Sequence, residues 1–190
     1  MHGPASLGWL LVALCAATGA YCLLRMRSSV EEQRSAAGGE ALMGFGMAAM
    51  AVPATVFAPP PWAWPLYAAV FGAAALRALW GARASAHHRH HLVGAAAMVY
   101  MSVVMALSPA AHHAHGGAGL PALTGVLLLY FAGYVLLSGA RLVPAVVPGA
   151  PGVPGVPGGG PAVRWGDRPE LALTCRLSMA IGMVAMLLTL

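Results

Sequence analysis

Long runs of apolar residues, separated by short polar segments, dominate the pattern of this chain. Most of these runs approach the roughly 20 residues that an α-helix needs to cross a bilayer. The pattern therefore predicts six helical spans, at residues 5–24, 41–57, 66–80, 92–107, 121–142 and 171–190. Composition supports this interpretation, since 59% of the 190 residues are hydrophobic and only 8% are charged. A soluble domain of this size needs far more surface charge, so we predict an all-α, polytopic transmembrane helix bundle.

One segment interrupts the predicted bundle. Residues 144–169 are rich in proline and glycine. Proline removes backbone donors and glycine adds backbone entropy, so both disfavour a helix. We predict a flexible cytoplasmic linker there. It joins the first five spans, within residues 1–143, to the sixth, within residues 170–190, and the chain forms one membrane domain overall.

Charged residues concentrate at one end of the predicted spans. If segments 25–40, 81–91 and 143–170 share one side of the membrane, all five acids lie there. The same side then receives every arginine: Arg25, Arg27, Arg34, Arg77, Arg83, Arg89, Arg141, Arg164, Arg168 and Arg176. The positive-inside rule places that side in the cytoplasm and both termini outside. We therefore predict a multi-pass protein of the plasma (inner) membrane whose partner is the lipid bilayer, and the net charge of +5 does not indicate nucleic-acid binding.

Methionine recurs at helical spacing in the second, fourth and sixth predicted spans. At about 100° per residue, three stripes each share one helix face: Met43, Met47 and Met50; Met98, Met101 and Met105; and Met179, Met183 and Met186. The predicted topology makes these spans parallel, so the stripes can meet at similar depths. Thioether and imidazole ligands suit Cu(I), and a neutral ligand set costs little to bury in a membrane.

These stripes predict a copper-binding or copper-permeating site. Its intramembrane thioether ligands would be Met47, Met50, Met98, Met101, Met179 and Met183. His91 and Glu40 would guard the cytoplasmic mouth of the site. The outer turn carries a further tract of the kind that binds metals with loose specificity, formed by His112, His113 and His115.

A second interpretation stays open, because methionine is also a flexible apolar residue that fills gaps in packed faces. The protein would then be an accessory or structural membrane protein without metal. Glu40 would be an acidic residue in the first turn of a helix, where the helix dipole favours it, and the histidines of 87–91 would be solvated loop residues. The chain carries no phosphate-binding glycine loop and no GxSxG, HExxH or CxxC motif, so no enzymatic reaction is predicted.

Two segments carry a resemblance to a known family. One is a Met-x-x-x-Met-x-x-Met segment at Met43, Met47 and Met50, and the other runs from His90-His91-Leu to Met98-Val-Tyr-Met101. Together they resemble an uncharacterised actinobacterial family, a domain of unknown function found in small polytopic membrane proteins that contain Met and His. Some members have a histidine where this chain has Glu40, which weakens a soft-metal site here. The resemblance implies a membrane protein and brings no established activity.

Overall fold

A computed structural model describes residues 4–28, 31–53, 55–82, 86–107, 119–146 and 169–190. These residues form helices and no strand: α1 Pro4–Arg25, α2 Glu31–Met50, α3 Ala63–Ala82, α4 Ala86–Leu107, α5 Pro121–Val146 and α6 Pro169–Leu187. The all-α prediction is confirmed. Three stretches among the described residues are long and apolar enough to cross a membrane, namely Gly8–Arg25, His90–Leu107 and Pro121–Ala140, and Leu171–Leu187 is a shorter apolar helix. Six spans and external termini stay predictions.

Helix α2 is displaced along the sequence from the span predicted at 41–57. It begins at Glu31, because two acidic residues at an N-terminus complement the helix dipole. It ends at Met50, before Pro53, which has no N–H and disfavours helical geometry in the preceding residue. The Ala51 N–H still donates a hydrogen bond to the Met47 carbonyl, whereas the Val56 N–H donates to the Pro53 carbonyl three residues before it. Regular α-helical hydrogen bonding therefore ends before Pro53, and the predicted span 41–57 is not one continuous helix.

The early start of α2 also changes the setting of Glu40. This residue is in the third turn of α2, so the interpretation of Glu40 as a first-turn acid is wrong. Similarly, α4 begins at Ala86, which places His91 in the second helical turn rather than in a loop. Both corrections move a predicted entrance residue from a helix end toward the interior of the bundle.

Helices α3 and α5 both extend beyond their predicted spans. Helix α3 begins at Ala63 rather than at residue 66, with Pro65 in its first turn. Helix α5 continues through Pro144 to Val146, so the first residues of the predicted linker are helical. Pro144 is in the last turn of α5, so its missing N–H removes only one hydrogen bond near the helix end. Pro169, the last residue of the predicted linker, is likewise helical as the first residue of α6, and residues 147–168 lie outside the described residues.

Helices α2 and α6 each contact three others. Helix α2 contacts α1, α4 and α6, helix α6 also contacts α1 and α5, and α3 packs on α4. The contact between α1 and α2 is close: a Cβ atom at Gly44 would lie 2.9 Å from the Cα of Gly19. Small residues allow helix backbones to approach in this way where lipid supplies no hydrophobic drive for association.

The outward face of α5 is strongly apolar. Leu129 and Leu136 are 77% and 73% exposed, and Val126 and Leu137 are also largely exposed. An uncovered apolar face of this kind marks contact with a membrane or another protein. The bundle therefore combines apolar outer faces with an interior that is charged toward one end.

Candidate functional site

A buried charge cluster joins four helices. Glu40 of α2 accepts a hydrogen bond from Arg25 of α1, with 2.5 Å between Nη1 and Oε2. Its other oxygen, Oε1, accepts one from Nε of Arg176 in α6, at 2.7 Å. Nε2 of His91, in α4, lies 3.8 Å from the same Oε1. We call Arg25, Glu40, His91 and Arg176 the charge cluster.

The members of the charge cluster differ in exposure. The side chains of Arg25 and Glu40 are completely buried, whereas those of Arg176 and His91 are 22% and 16% exposed. Burying a charge is costly unless it is paired and hydrogen-bonded, and here one carboxylate faces two guanidiniums. Cys22 adds a weak thiol contact, with Sγ 3.7 Å from Oε2 of Glu40. The cluster therefore carries an excess positive charge within the bundle.

The sequence predicts Glu40 and His91 as site residues, whereas it explains both arginines by the positive-inside rule alone. Arg25 is the last residue of α1, where a cation also complements the helix dipole. Arg176 lies inside the predicted span 171–190, and an ionisable residue in a span is by default a functional candidate. That signal was sufficient to include Arg176, whereas only the tertiary contacts reveal Arg25.

The charge cluster and the methionines follow one common spacing on three helices. In an α-helix, the residues 3, 7 and 10 positions after a given residue lie on nearly the same face as that residue. On α2 these residues are Glu40, Met43, Met47 and Met50; on α4 they are His91, Gly94, Met98 and Met101; on α6 they are Arg176, Met179, Met183 and Met186. Among these nine positions that follow a charge-cluster residue, only Gly94 is not a methionine.

Contacts between these positions show that α2, α4 and α6 run parallel. Along α2 and α4, Glu40 meets His91, and a Cβ at Gly94 would lie 3.0 Å from Sδ of Met43. Along α2 and α6, Glu40 meets Arg176, and farther on Gly182 lies against Met47. The contacts come in the same order on each helix, which agrees with the parallel arrangement expected for the second, fourth and sixth spans.

Seven methionines of the three helices share one buried core. We call this group the methionine cluster: Met43, Met47, Met98, Met101, Met179, Met183 and Met186. Met50 is partly buried and packs against it. Of the predicted thioether ligands, all six therefore lie in this cluster or at its margin. His112, His113 and His115 lie outside the described residues.

Glycines lie beside several of these thioethers, and Gly94 leaves room for one of them. A Cβ at Gly94 would lie 2.8 Å from the Met43 methyl carbon, and one at Gly46 would lie 3.3 Å from that of Met98. A Cβ at Gly182 would lie 3.7 Å from Sδ of Met47. Flexible thioethers fit such irregular spaces well, so packing accounts for the position of these side chains. Binding of a metal by their sulfurs stays a prediction.

His90 faces a different helix from His91. Its ring stacks on Tyr134 of α5, with centroids 4.0 Å apart, and its Nδ1 is 3.2 Å from the hydroxyl of Tyr130. The interpretation of this histidine as a solvated loop residue is therefore wrong. Within the described part of the chain, no group of three or more His, Cys, Asp or Glu side chains is placed to hold a metal ion.

An apolar groove lies between α2 and α3, apart from the charge cluster. Its volume is about 620 Å³, and its lining includes Phe45, Trp64, Tyr67 and Phe71. Tyr67 stacks on Phe71 with ring centroids 6.2 Å apart. Such a lining accepts hydrocarbon, and its described residues include no Asp, Glu, His, Lys, Arg or Cys side chain, unlike the charge cluster.

Together these features define an all-helical bundle with apolar outer faces, a methionine core and a buried charge cluster. The chain belongs to the family described as Domain of unknown function (DUF5134), which matches residues 32–190. This match confirms the predicted membership in an uncharacterised family. It includes Glu40, His91 and Arg176, whereas Arg25 lies before it. No curated protein and no solved structure matches the chain.

Proposed function

We propose that this protein is an integral protein of the plasma membrane that binds Cu(I) between α2, α4 and α6. The membrane setting is supported by three helices of sufficient apolar length and by exposed leucines such as Leu129. The observation that carries the copper proposal is the methionine cluster, in which thioethers from three parallel helices share one buried core.

The ligand chemistry favours a soft monovalent metal. Thioethers select Cu(I) over harder cations, and neutral ligands avoid the desolvation cost of carboxylates in an apolar interior. The proposed ligands are those that the sequence predicts: Met47, Met50, Met98, Met101, Met179 and Met183. His91 and Glu40 would form the entrance, about 4.5 Å along the helix axis before the level of Met43.

The charge cluster opposes the passage of a metal cation toward the methionine cluster. Both oxygens of Glu40 accept hydrogen bonds from guanidiniums, and the two arginines repel an approaching cation. Binding within the methionine cluster is therefore better supported than rapid permeation past Glu40. Metal entering from the charged end would have to displace Arg176, which is the more exposed of the two arginines.

The alternative is an accessory or structural membrane protein whose methionines only pack. It is favoured by the contact at Gly94, where the absence of a Cβ leaves room for the Met43 thioether by shape alone. The two proposals predict the same fold. They differ in whether sulfur itself is needed, and a substitution that removes sulfur while keeping volume separates them.

Copper loading of the purified full chain in a non-ionic detergent tests the proposal. The protein is incubated with Cu(I) under reducing conditions, freed of unbound metal and analysed by mass spectrometry. We expect wild type to retain copper and Met47→Leu/Met98→Leu to retain much less. Met26→Leu serves as the control, because Met26 lies in a turn and is exposed. If wild type retained no copper, or if the double variant retained as much copper as wild type, the copper proposal would be overturned. The methionines would then have only a packing role.

A further inference from the structure

The guanidinium of Arg25 has only part of its hydrogen-bonding capacity in use. Its side chain is completely buried, and Nη1 donates to Glu40. Its Nε and Nη2 are also buried, and neither has a hydrogen-bond partner among the described residues. Leaving buried guanidinium donors without a hydrogen bond costs free energy. An acceptor bound to Nε and Nη2 of Arg25 would remove that cost.

The two remaining nitrogens form a specific recognition geometry. In a guanidinium, the Nε–H and the Nη2–H lie on the same edge and point in parallel directions. This fork matches two oxygens of a phosphate or carboxylate group, and such bidentate pairs are stronger and more directional than single contacts. Glu40 contacts Nη1 instead, so the ion pair leaves the fork available.

The charge balance points to the same class of ligand. Arg25 and Arg176 contribute two positive charges and Glu40 one negative charge. One further anionic group would neutralise the remaining charge. Arg25 itself is completely buried, so a ligand must reach it past Arg176 and His91, the partly exposed members of the cluster.

We propose that the charge cluster binds a phosphate group, held bidentately by Nε and Nη2 of Arg25. A phosphate offers more acceptor oxygens than a carboxylate, so after filling the fork it can still accept from Arg176 or His91. The group could belong to a lipid headgroup or to free phosphate. The exposed leucines Leu23 and Leu24, next to Arg25, provide an apolar surface for the chains of a lipid. This proposal does not depend on copper binding.

Binding measurements on the full chain distinguish the two sources. In one arm, inorganic phosphate is titrated into detergent-solubilised protein and followed by calorimetry. In the other, native mass spectrometry detects retained phosphatidylglycerol, with diacylglycerol as the lipid that lacks a phosphate. Saturable binding of inorganic phosphate identifies a free-phosphate site. Retention of phosphatidylglycerol alone identifies a headgroup site. Wild type that binds neither overturns the proposal.

Paired substitutions test the assignment to Arg25. Arg25→Gln/Glu40→Gln removes the fork together with the carboxylate that it pairs, so no lone buried charge of this pair is left. We expect binding to weaken at least about tenfold, as the loss of charge-assisted hydrogen bonds implies. The control is Glu31→Gln/Arg34→Gln, which removes an exposed Arg–Glu pair of α2 and should leave binding unchanged.

A conservative variant keeps the test decisive if the double variant fails to fold. Arg25→Lys retains the positive charge beside Glu40 but has no planar fork. We expect Arg25→Lys to keep the wild-type helix content by circular dichroism and to bind the phosphate group more weakly. Wild-type affinity in a folded Arg25→Lys protein would overturn the proposed bidentate contact.

Discussion

The charge cluster and the methionine cluster occupy the same faces of α2, α4 and α6, yet they hold these helices together differently. In the charge cluster, one carboxylate is bound by two guanidiniums at 2.5 and 2.7 Å. In the methionine cluster, flexible thioethers enter spaces beside glycines such as Gly46 and Gly94. The first arrangement depends on direction and charge, and the second depends on shape and volume.

This difference determines how each cluster responds to change. An apolar core tolerates substitutions that conserve volume, whereas removing one partner of a buried ion pair leaves an uncompensated charge. Glu40 also fixes the register of α1 and α6 against α2, since only one alignment brings Arg25 and Arg176 to the same carboxylate. The charge cluster is thus the less tolerant of the two.

The largest effect is expected for Glu40→Ala. This substitution leaves two guanidiniums facing each other inside the bundle, and breaking a buried pair typically costs about 3–5 kcal/mol. The free energy of unfolding, measured in mild detergent with a denaturant, should fall by that amount. Glu31→Ala is the matched control, because Glu31 pairs with Arg34 at the exposed surface of the same helix. Exposed pairs contribute about 0–1 kcal/mol, so similar losses in both variants would contradict the comparison.

An intermediate effect is expected for Gly44→Ala, which tests close packing without touching either cluster. The new Cβ would lie 2.9 Å from the Cα and N of Gly19 and 3.1 Å from the carbonyl oxygen of Cys15. These are backbone atoms, so α1 and α2 must separate, at a cost of about 1–3 kcal/mol. Gly39→Ala is the control, since no atom lies within 4 Å of its added Cβ.

The two glycine variants should differ in sign as well as size. Alanine is a better helix former than glycine by about 1 kcal/mol, so Gly39→Ala should leave the unfolding free energy unchanged or increase it. A Gly44→Ala protein as stable as wild type would show that α1 and α2 do not need their close approach.

The smallest effect is expected for Met98→Leu. Met98 is completely buried, but leucine has a similar volume, and such exchanges usually cost less than about 1.5 kcal/mol. The same unfolding measurement should show a small loss, with Met26→Leu, at an exposed turn, close to zero. A loss for Met98→Leu as large as that for Glu40→Ala would mean that the methionine cluster is as strictly constrained as the charge cluster.

Much of the helical architecture could be predicted from the sequence. Apolar runs located α1, α5 and α6 closely, since the predicted spans 5–24, 121–142 and 171–190 overlap most of these helices. The starts of α2 and α4 were missed. Polar residues before the apolar runs indicated loops, but helix formation depends on local propensity and capping as well as hydropathy, and both helices extend into polar sequence.

The candidate site was only partly predictable. The methionine stripes follow from helical spacing alone, and their spacing from Glu40, His91 and Arg176 could have been recognised as a shared register. The pairing of Glu40 with Arg25 could not be predicted, because it depends on how α1 packs against α2, with the end of one helix beside the middle of the other. A linear sequence gives the ionisable groups but not the distances that decide which of them pair.

The sequence by itself determined an all-helical chain with apolar faces and methionine at regular helical positions, because these properties depend on composition and on the 3.6-residue period. Only the tertiary structure decided that Glu40 lies buried between two arginines and that Arg25 keeps one edge of its guanidinium without a partner among the described residues. The physical reason is range: a helix is specified by neighbours within about four residues, whereas an ion pair between helices requires contacts between residues as far apart as Glu40 and Arg176.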